Sequence, residues 1–272
     1  MKVLVTGGAG FIGSNIVDAL IAKNHQVLIL DNISTGKRQN LNPQAKLYEL
    51  DLTSAAAAEM IVNEKPEIVF HLGAQIDVRK SIAEPEFDRK INVGGSKNLL
   101  DAAEKAGVKK FIFSSTGGAI YGETNILPSP ETTPNNPLSQ YGKSKLEVDR
   151  EMEARSRAGS KMVMVSLRYG NVFGPRQDPL GEAGVISIFG NGLLKGKPIF
   201  INGDGTQTRD YVFVGDVVQA NLLAMEKCMQ HQIFNVGTGI ETNVLQIVDL
   251  LKEMIKPANP QVSHRSAIAG EV

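Results

Sequence analysis

One cysteine, Cys228, stands in 272 residues, so no internal disulfide can form and no cysteine-built zinc cluster is available. Thiol scarcity of this kind fits a reducing compartment, and the expected location is the cytoplasm. Net charge is equally scarce, because 29 basic side chains balance 29 acidic ones. That balance argues against a polyanion-binding surface, and no nucleic-acid partner is expected. Long apolar runs are missing too. No stretch is long enough to span a bilayer, and Met1-Lys2-Val3-Leu4-Val5-Thr6 runs straight into a glycine turn without an apolar leader, so no membrane association is expected.

What is present is 42% hydrophobic residues and 27 glycines, enough to bury a core and still turn tightly many times. The length calls for one large domain or one large and one small. Short β-branched runs alternate with helical stretches. Val3–Thr6, Gln26–Leu30, Lys46–Leu50, Ile68–Leu72, Phe111–Ser115 and Met162–Leu167 are predicted strands, and Phe11–Lys23, Ala55–Glu64, Phe87–Ala106 and Tyr141–Ala158 predicted helices. Near-continuous apolar strands such as Phe111-Ile112-Phe113 belong in a parallel sheet covered on both faces. The expected fold is therefore α/β, a Rossmann-type doubly wound parallel sheet. After Arg168 the rhythm changes to Gly-, Pro- and Asn-rich sequence, with helical pieces at Ile186–Lys195 and Val244–Ile255 and a strand at Ile233–Val236. A division follows into residues 1–170 and a smaller substrate-binding lobe, 171–272, with a segment near 210–238 returning to the main sheet.

The first predicted strand leads into Gly7-Gly8-Ala9-Gly10-Phe11-Ile12-Gly13 and then a helix. Glycine suits a tight strand-to-helix turn, and the bare backbone admits a pyrophosphate to the amides at the helix N-terminus. Gly8, Gly10 and Gly13 satisfy one dinucleotide spacing, and Gly7, Gly10 and Gly13 the variant spaced by three. Asp31 ends the next strand about 20 residues on, as the fingerprint requires. A carboxylate there accepts hydrogen bonds from ribose hydroxyls and repels a 2′-phosphate, so NAD is the expected cofactor. No metal is expected.

Tyr141 and Lys145 lie four residues apart, on one face of a predicted helix. An ammonium beside a phenol, which ordinarily titrates at about 10, lowers its pKa and makes a usable base. Ser114-Ser115-Thr116 ends the fifth predicted strand, at the carboxyl edge where doubly wound sheets bind ligands. The Thr116 hydroxyl can there hold a substrate oxygen beside Tyr141. Tyr141, Lys145 and Thr116 are the candidate catalytic residues.

Together with Arg168-Tyr169-Gly170-Asn171-Val172, these motifs resemble the extended short-chain dehydrogenase/reductase family, nearest to its UDP-glucose 4-epimerase group, over essentially the whole chain and in the family order. The resemblance implies that Asn32, Asp51 and Leu52 hold the adenosine end of NAD. It implies that Phe11, Ile12, Leu72-Gly73-Ala74-Gln75, Asn92, Ser114 and Tyr169 line the rest of the cofactor cleft, and that Asn171 and Arg209 bind the diphosphate of a UDP-sugar. It also implies a homodimer through Phe87–Ala106 and Tyr141–Ala158. The activity it implies is interconversion of UDP-glucose and UDP-galactose by transient oxidation at C4.

Related dehydratases and decarboxylases place a carboxylate just after the threonine, whereas Gly117-Gly118-Ala119-Ile120 follows Thr116, which favours simple inversion. A diphosphate-binding arginine of the family falls where Ile268 stands, and Arg265 is its nearest stand-in. The alternatives are an epimerase of a UDP-N-acetylhexosamine or UDP-uronate and a non-catalytic NAD-binding regulator.

Overall fold

A computed structural model describes residues 1–179 and 184–266. The first part alternates strand and helix: β1 (Lys2–Thr6), α1 (Phe11–Ala22), β2 (Gln26–Leu30), β3 (Lys46–Tyr48), α2 (Ala55–Glu64), β4 (Ile68–His71), α3 (Val78–Ala83), α4 (Pro85–Arg89), α5 (Ser96–Ala106), β5 (Lys110–Thr116), α6 (Gly117–Ile120), α7 (Gln140–Arg157) and β6 (Val163–Tyr169). There follow β7 (Asn171–Phe173), α8 (Val185–Leu194), β8 (Ile199–Asn202), β9 (Thr208–Arg209), β10 (Tyr211–Phe213), α9 (Val214–Lys227), β11 (Gln232–Val236), β12 (Thr242–Asn243), α10 (Val244–Ile255) and β13 (Val262–Arg265).

Seven strands form one sheet in the order β11-β6-β5-β4-β1-β2-β3, every neighbouring pair parallel. Such a sheet buries both faces. Val3, Val5, Ile29, Phe70 and Ile112 pack against α1 and α9, while Leu4, Leu28, Val69, Phe111 and Phe113 pack against α2, α5 and α7. The strand order reverses between β1 and β4, and a doubly wound sheet opens its ligand crevice at the carboxyl ends of such a pair. A separate apolar cluster, Phe189, Leu193, Ile199, Ile201, Val244 and Val248, holds α8, β8 and α10 together. Between these segments the chain returns to the sheet: α9 covers one face and β11 pairs with β6 from Gln232↔Val165 to Val236↔Tyr169.

One predicted helix is broken. In place of a continuous Phe87–Ala106, α4 starts at Pro85 and Lys90–Gly95 forms a π-helical turn before α5. A wide turn of this kind often marks a functional site. Here it seats Gly95 against Leu52, where a Cβ would lie 1.6 Å from Leu52 Cδ1. The third strand stops at Tyr48, short of Leu50.

Candidate active site

The turn after β1 is built on Gly7, Gly10 and Gly13. Gly7 has φ +68°, and a Cβ on Gly13 would sit 2.1 Å from the Gly7 carbonyl oxygen, so neither position admits a side chain. A Cβ on Gly8 would lie 2.8 Å from Ile29 Cγ2, so packing against β2 closes that position as well. Gly10 is the N-cap of α1 and offers no side-chain cap, leaving the positive helix end, with Phe11 and Ile12 in its first turn, open to an anion. Asp31 is buried at the end of β2 and accepts hydrogen bonds from Ala9 N (2.9 Å) and Ile33 N (2.8 Å). Asn32 donates to Asp51 Oδ2 at 3.0 Å. Burial works to raise the Asp51 pKa, but donation from the Thr53 hydroxyl and amide and from Asn32 holds it below its ordinary value. Leu52 is fastened by its carbonyl, which accepts from Asn98 Nδ2 at 2.8 Å.

His71 closes β4 and fixes the segment behind it. Thr6 Oγ1 accepts from Leu72 N (3.1 Å) and Gly73 N (2.9 Å) and lies 2.8 Å from His71 Nδ1. On the other side of the ring, His71 Nε2 lies 2.8 Å from Ser96 Oγ, which donates to the Asn92 carbonyl. With Thr6 accepting from two amides, its hydroxyl proton is directed to Nδ1, and the ring carries its own proton on Nε2. Burial, with the Lys145 charge, pushes the imidazole down to about 3, so it is neutral. The Asn92 carboxamide grips Gln75 from both sides, accepting from its amide at 2.8 Å and donating to its carbonyl at 2.9 Å. Leu72, Gly73, Ala74 and Gln75 are thus held at both ends.

Ser139 caps α7 by accepting from Gly142 N, and a Cβ on Gly142 would lie 2.5 Å from the Ala119 carbonyl oxygen, which sets α7 tightly against α6. Tyr141 then sits in the first turn of α7, its amide donating to Ser81 Oγ at 3.2 Å. Lys145 Nζ donates to the Ser114 carbonyl at 2.8 Å and lies 5.8 Å from the Tyr141 ring centre. Burial pushes Lys145 down to about 8 against the opposing pull of Asp149 and Asp88. The expected lowering of the Tyr141 pKa is not found. Burial, and then the Asp88 charge, push the phenol above its ordinary value, and the ammonium is directed at the Ser114 carbonyl.

A cleft of about 260 Å³ at the carboxyl edge of the sheet brings Thr116, Tyr141, Tyr169 and Asn171 together, with Gly118, Phe173, Gln177 and Tyr211 completing much of its wall. Tyr169 is buried, accepts from Asn221 Nδ2 at 2.8 Å, and is pushed up to about 12 by that burial. Arg209 does not line the cleft. It lies on β9, two residues before Tyr211, and donates to the Thr208 carbonyl at 2.6 Å. Arg265 lies on β13 over the Phe200 ring, also away from the lining, and position 268 is outside the described residues. Sequence reasoning missed Gln177, whose Nε2 donates to the Val172 carbonyl and whose Oε1 is a buried acceptor without a partner. It also missed Tyr211, and the buried carboxylates Asp88 and Asp149 behind Tyr141 and Lys145.

Residues 3–237 match the NAD-dependent epimerase/dehydratase family. The chain belongs to this family. A putative UDP-glucose 4-epimerase of Methanocaldococcus jannaschii is 48% identical over 253 residues, covering 93% of this chain and 82% of the relative. The crystal structure of a UDP-glucose 4-epimerase from Thermotoga maritima with UDP-glucose superimposes with a TM-score of 0.96 at 48% identity, covering 100% of this chain and 88% of that one. A Thermus thermophilus UDP-glucose 4-epimerase in complex with NAD gives 0.93 at 41% identity, covering 100% and 88%. Within this epimerase/dehydratase fold, no group of His, Cys, Asp and Glu among the described residues could hold a metal ion, and none of the described helices is long and apolar enough to cross a membrane.

Proposed function

We propose that this chain is an NAD-dependent 4-epimerase that interconverts UDP-glucose and UDP-galactose. The observation that carries the reading is the cleft itself: Thr116 and Tyr141 face one space, Lys145 lies behind Tyr141, and the described lining contains no carboxylate. A carboxylate would supply the extra acid or base that elimination or decarboxylation needs, and inversion at C4 needs none. The relatives solved with UDP-glucose and with NAD support the same substrate and cofactor.

The residues fit the cofactor. A turn in which Cβ atoms at Gly7 and Gly13 would strike backbone leaves its amides bare for a pyrophosphate. Gly7, Gly10, Phe11, Ile12 and Gly13 would hold that group. Asp31 and Asn32 would take the adenosine ribose, Asp51 and Leu52 the adenine, and Leu72–Gln75, Asn92, Ser114 and Tyr169 the nicotinamide half. When bound, NAD supplies a hydride acceptor that later returns the same hydride, so the reaction has no net redox change.

Tyr141, once ionised, takes the proton of the C4 hydroxyl as the C4 hydride leaves. Thr116 donates a hydrogen bond to that oxygen and orients it. Lys145 would bind the nicotinamide ribose and place a positive charge 5.8 Å from the Tyr141 ring centre. Asn171 and Arg209 would hold the diphosphate while the 4-keto sugar turns its other face, and Tyr141 then returns the proton. In this reading residues 1–170 bind cofactor and 171–272 form the substrate lobe, apart from the 210–238 segment that joins the main sheet. A homodimer through the α4–α5 and α7 surfaces and a cytoplasmic location complete it, supported by the family resemblance and by the single cysteine.

The test is incubation of the purified protein with UDP-glucose, UDP-galactose, their N-acetyl counterparts and UDP-glucuronate, with products resolved by chromatography. Conversion between UDP-glucose and UDP-galactose, without added cofactor being consumed, is expected. Turnover of only the N-acetylated pair or of the uronate would overturn the choice of sugar, and turnover of none would overturn the enzyme reading.

A further inference from the structure

Asp88 on α4 is fully buried yet has no ion-pair partner among the described residues. Its carboxylate is held by three neutral donors: Gln75 Nε2 at 3.1 Å, Asn92 Nδ2 at 3.0 Å and Ser144 Oγ at 2.7 Å. These come from the cofactor-cleft segment, the π turn and α7. Ser144 stands three residues after Tyr141, about one helical turn along the same helix. A buried charge is costly without a cation, so a neutral side chain would have been the easier way to join three donors.

We propose that Asp88 is a positioning residue for the base: its carboxylate docks the Tyr141 helix onto the cleft segment and sets a negative charge against ionisation of the Tyr141 phenol. The inference rests on the proposed role of Tyr141. Few charged or titratable groups surround that phenol. Lys145 lies one turn along α7 with its ammonium on the Ser114 carbonyl, Asp149 one turn further is neutralised by Arg168, and Tyr169 and Tyr211 share the cleft from β6 and β10. Arg79 and Lys80 are exposed on α3, Lys80 lying over the Phe87 ring. Arg89 and Lys90, next to Asp88, are exposed as well, Arg89 pairing with Glu147. Asp88 is thus the buried negative charge opposing ionisation of Tyr141, and it acts in the direction found for the phenol.

Asp88→Asn removes the charge and keeps the tether, since the amide oxygen still accepts and the amide nitrogen can donate to Ser144 Oγ. Ser144→Ala removes a tether and keeps the charge. Both variants and the wild type, loaded with NAD and carrying 13C-labelled tyrosine, are titrated by NMR at the ring Cζ, with Tyr141→Phe assigning the signal. Asp88→Asn is expected to lower the Tyr141 midpoint by about one pH unit or more. Ser144→Ala is expected to leave the midpoint in place while lowering kcat for UDP-galactose. In the rate profile, the acid limb of kcat should move with Asp88→Asn alone. An unchanged midpoint in Asp88→Asn, or a phenol protonated throughout in both it and the wild type, overturns the inference. Failure of the wild type to turn over UDP-galactose would instead count against the epimerase reading, and the NMR midpoint still decides the role of Asp88.

Discussion

Arg168 Nη2 and Asp149 Oδ2 meet at 3.0 Å with each side chain only 2% exposed, joining β6 to α7 behind the carboxyl edge of the sheet. Ser166 donates to the same carboxylate at 2.5 Å and Ser115, the neighbour of Thr116, at 3.3 Å. From Arg168 the bonds continue to Tyr121 Oη and Asn135 Oδ1, and from Tyr121 to Asn235 on β11. The two strands that carry Thr116 and Tyr169 are therefore braced to the helix that carries Tyr141 and Lys145.

Arg168→Met should destabilise the fold by about 3–5 kcal/mol, because a buried carboxylate is left without its cation. The double variant Arg168→Met/Asp149→Leu should lose less than the single one. Urea denaturation followed by circular dichroism measures both; equal losses would mean that the pair is not the source of the effect.

His71 makes stability depend on pH in a defined window. Its folded pKa lies at about 3, against 6.5 for a free imidazole. Below 6.5 the unfolded chain takes up a proton that the folded ring refuses, so unfolding is favoured by about 1.4 kcal/mol for each further pH unit until about 3. Stability contributed by the neutral ring is thus complete above 6.5 and lost as pH falls. In His71→Gln this part of the slope should vanish. Stability curves measured by denaturant titration between those limits check it, and parallel curves for the two proteins would contradict it.

Tyr141→Phe should keep NAD bound and lower kcat by about 10²- to 10⁴-fold, the usual contribution of a positioned acid or base. The check is NAD stoichiometry by absorbance together with initial rates on UDP-galactose. Undiminished turnover would remove Tyr141 from the chemistry.

Gly13→Ala should weaken NAD binding at least about tenfold, since its methyl would meet the Gly7 carbonyl and open the phosphate turn. Gly94→Ala is the control, because a Cβ there meets nothing within 4 Å. Isothermal titration with NAD distinguishes them; a normal affinity in Gly13→Ala would show that the turn tolerates the shift.

Elements with local stop and start signals were legible before any coordinates. The span of α2, Ala55–Glu64, follows from Ser54 as a true cap, and that of α10, Val244–Ile255, from an Asn243–Gln246 capping box. Helix α9 escaped notice because it begins directly after β10, with no side-chain cap and a glycine in its first turn. The break at residues 90–95 was equally hidden, for its cause lies in Gln75 and Leu52, far along the chain. At the site, Thr116, Tyr141 and Asn171 were readable as motifs and share one cleft, whereas Arg209 stands outside the lining. Asp88 and Asp149 carry no motif at all. Their partners, Ser144 and Arg168, are 56 and 19 residues away, and only folding brings each pair together.

One edge strand of the sheet, β11, comes from sequence beyond α8 and β8 of the small apolar cluster. The two parts of the molecule are consequently interleaved along the chain, like a seam stitched from both sides. A fragment ending at residue 170 would lack β11 and α9, turning β6 into a bare edge and uncovering Val165, Leu167 and Tyr169 on one face. Bare apolar edges recruit other chains. The two parts are therefore not separable modules to be cut apart and recombined: the chain that leaves the sheet to build the small cluster returns to complete the sheet.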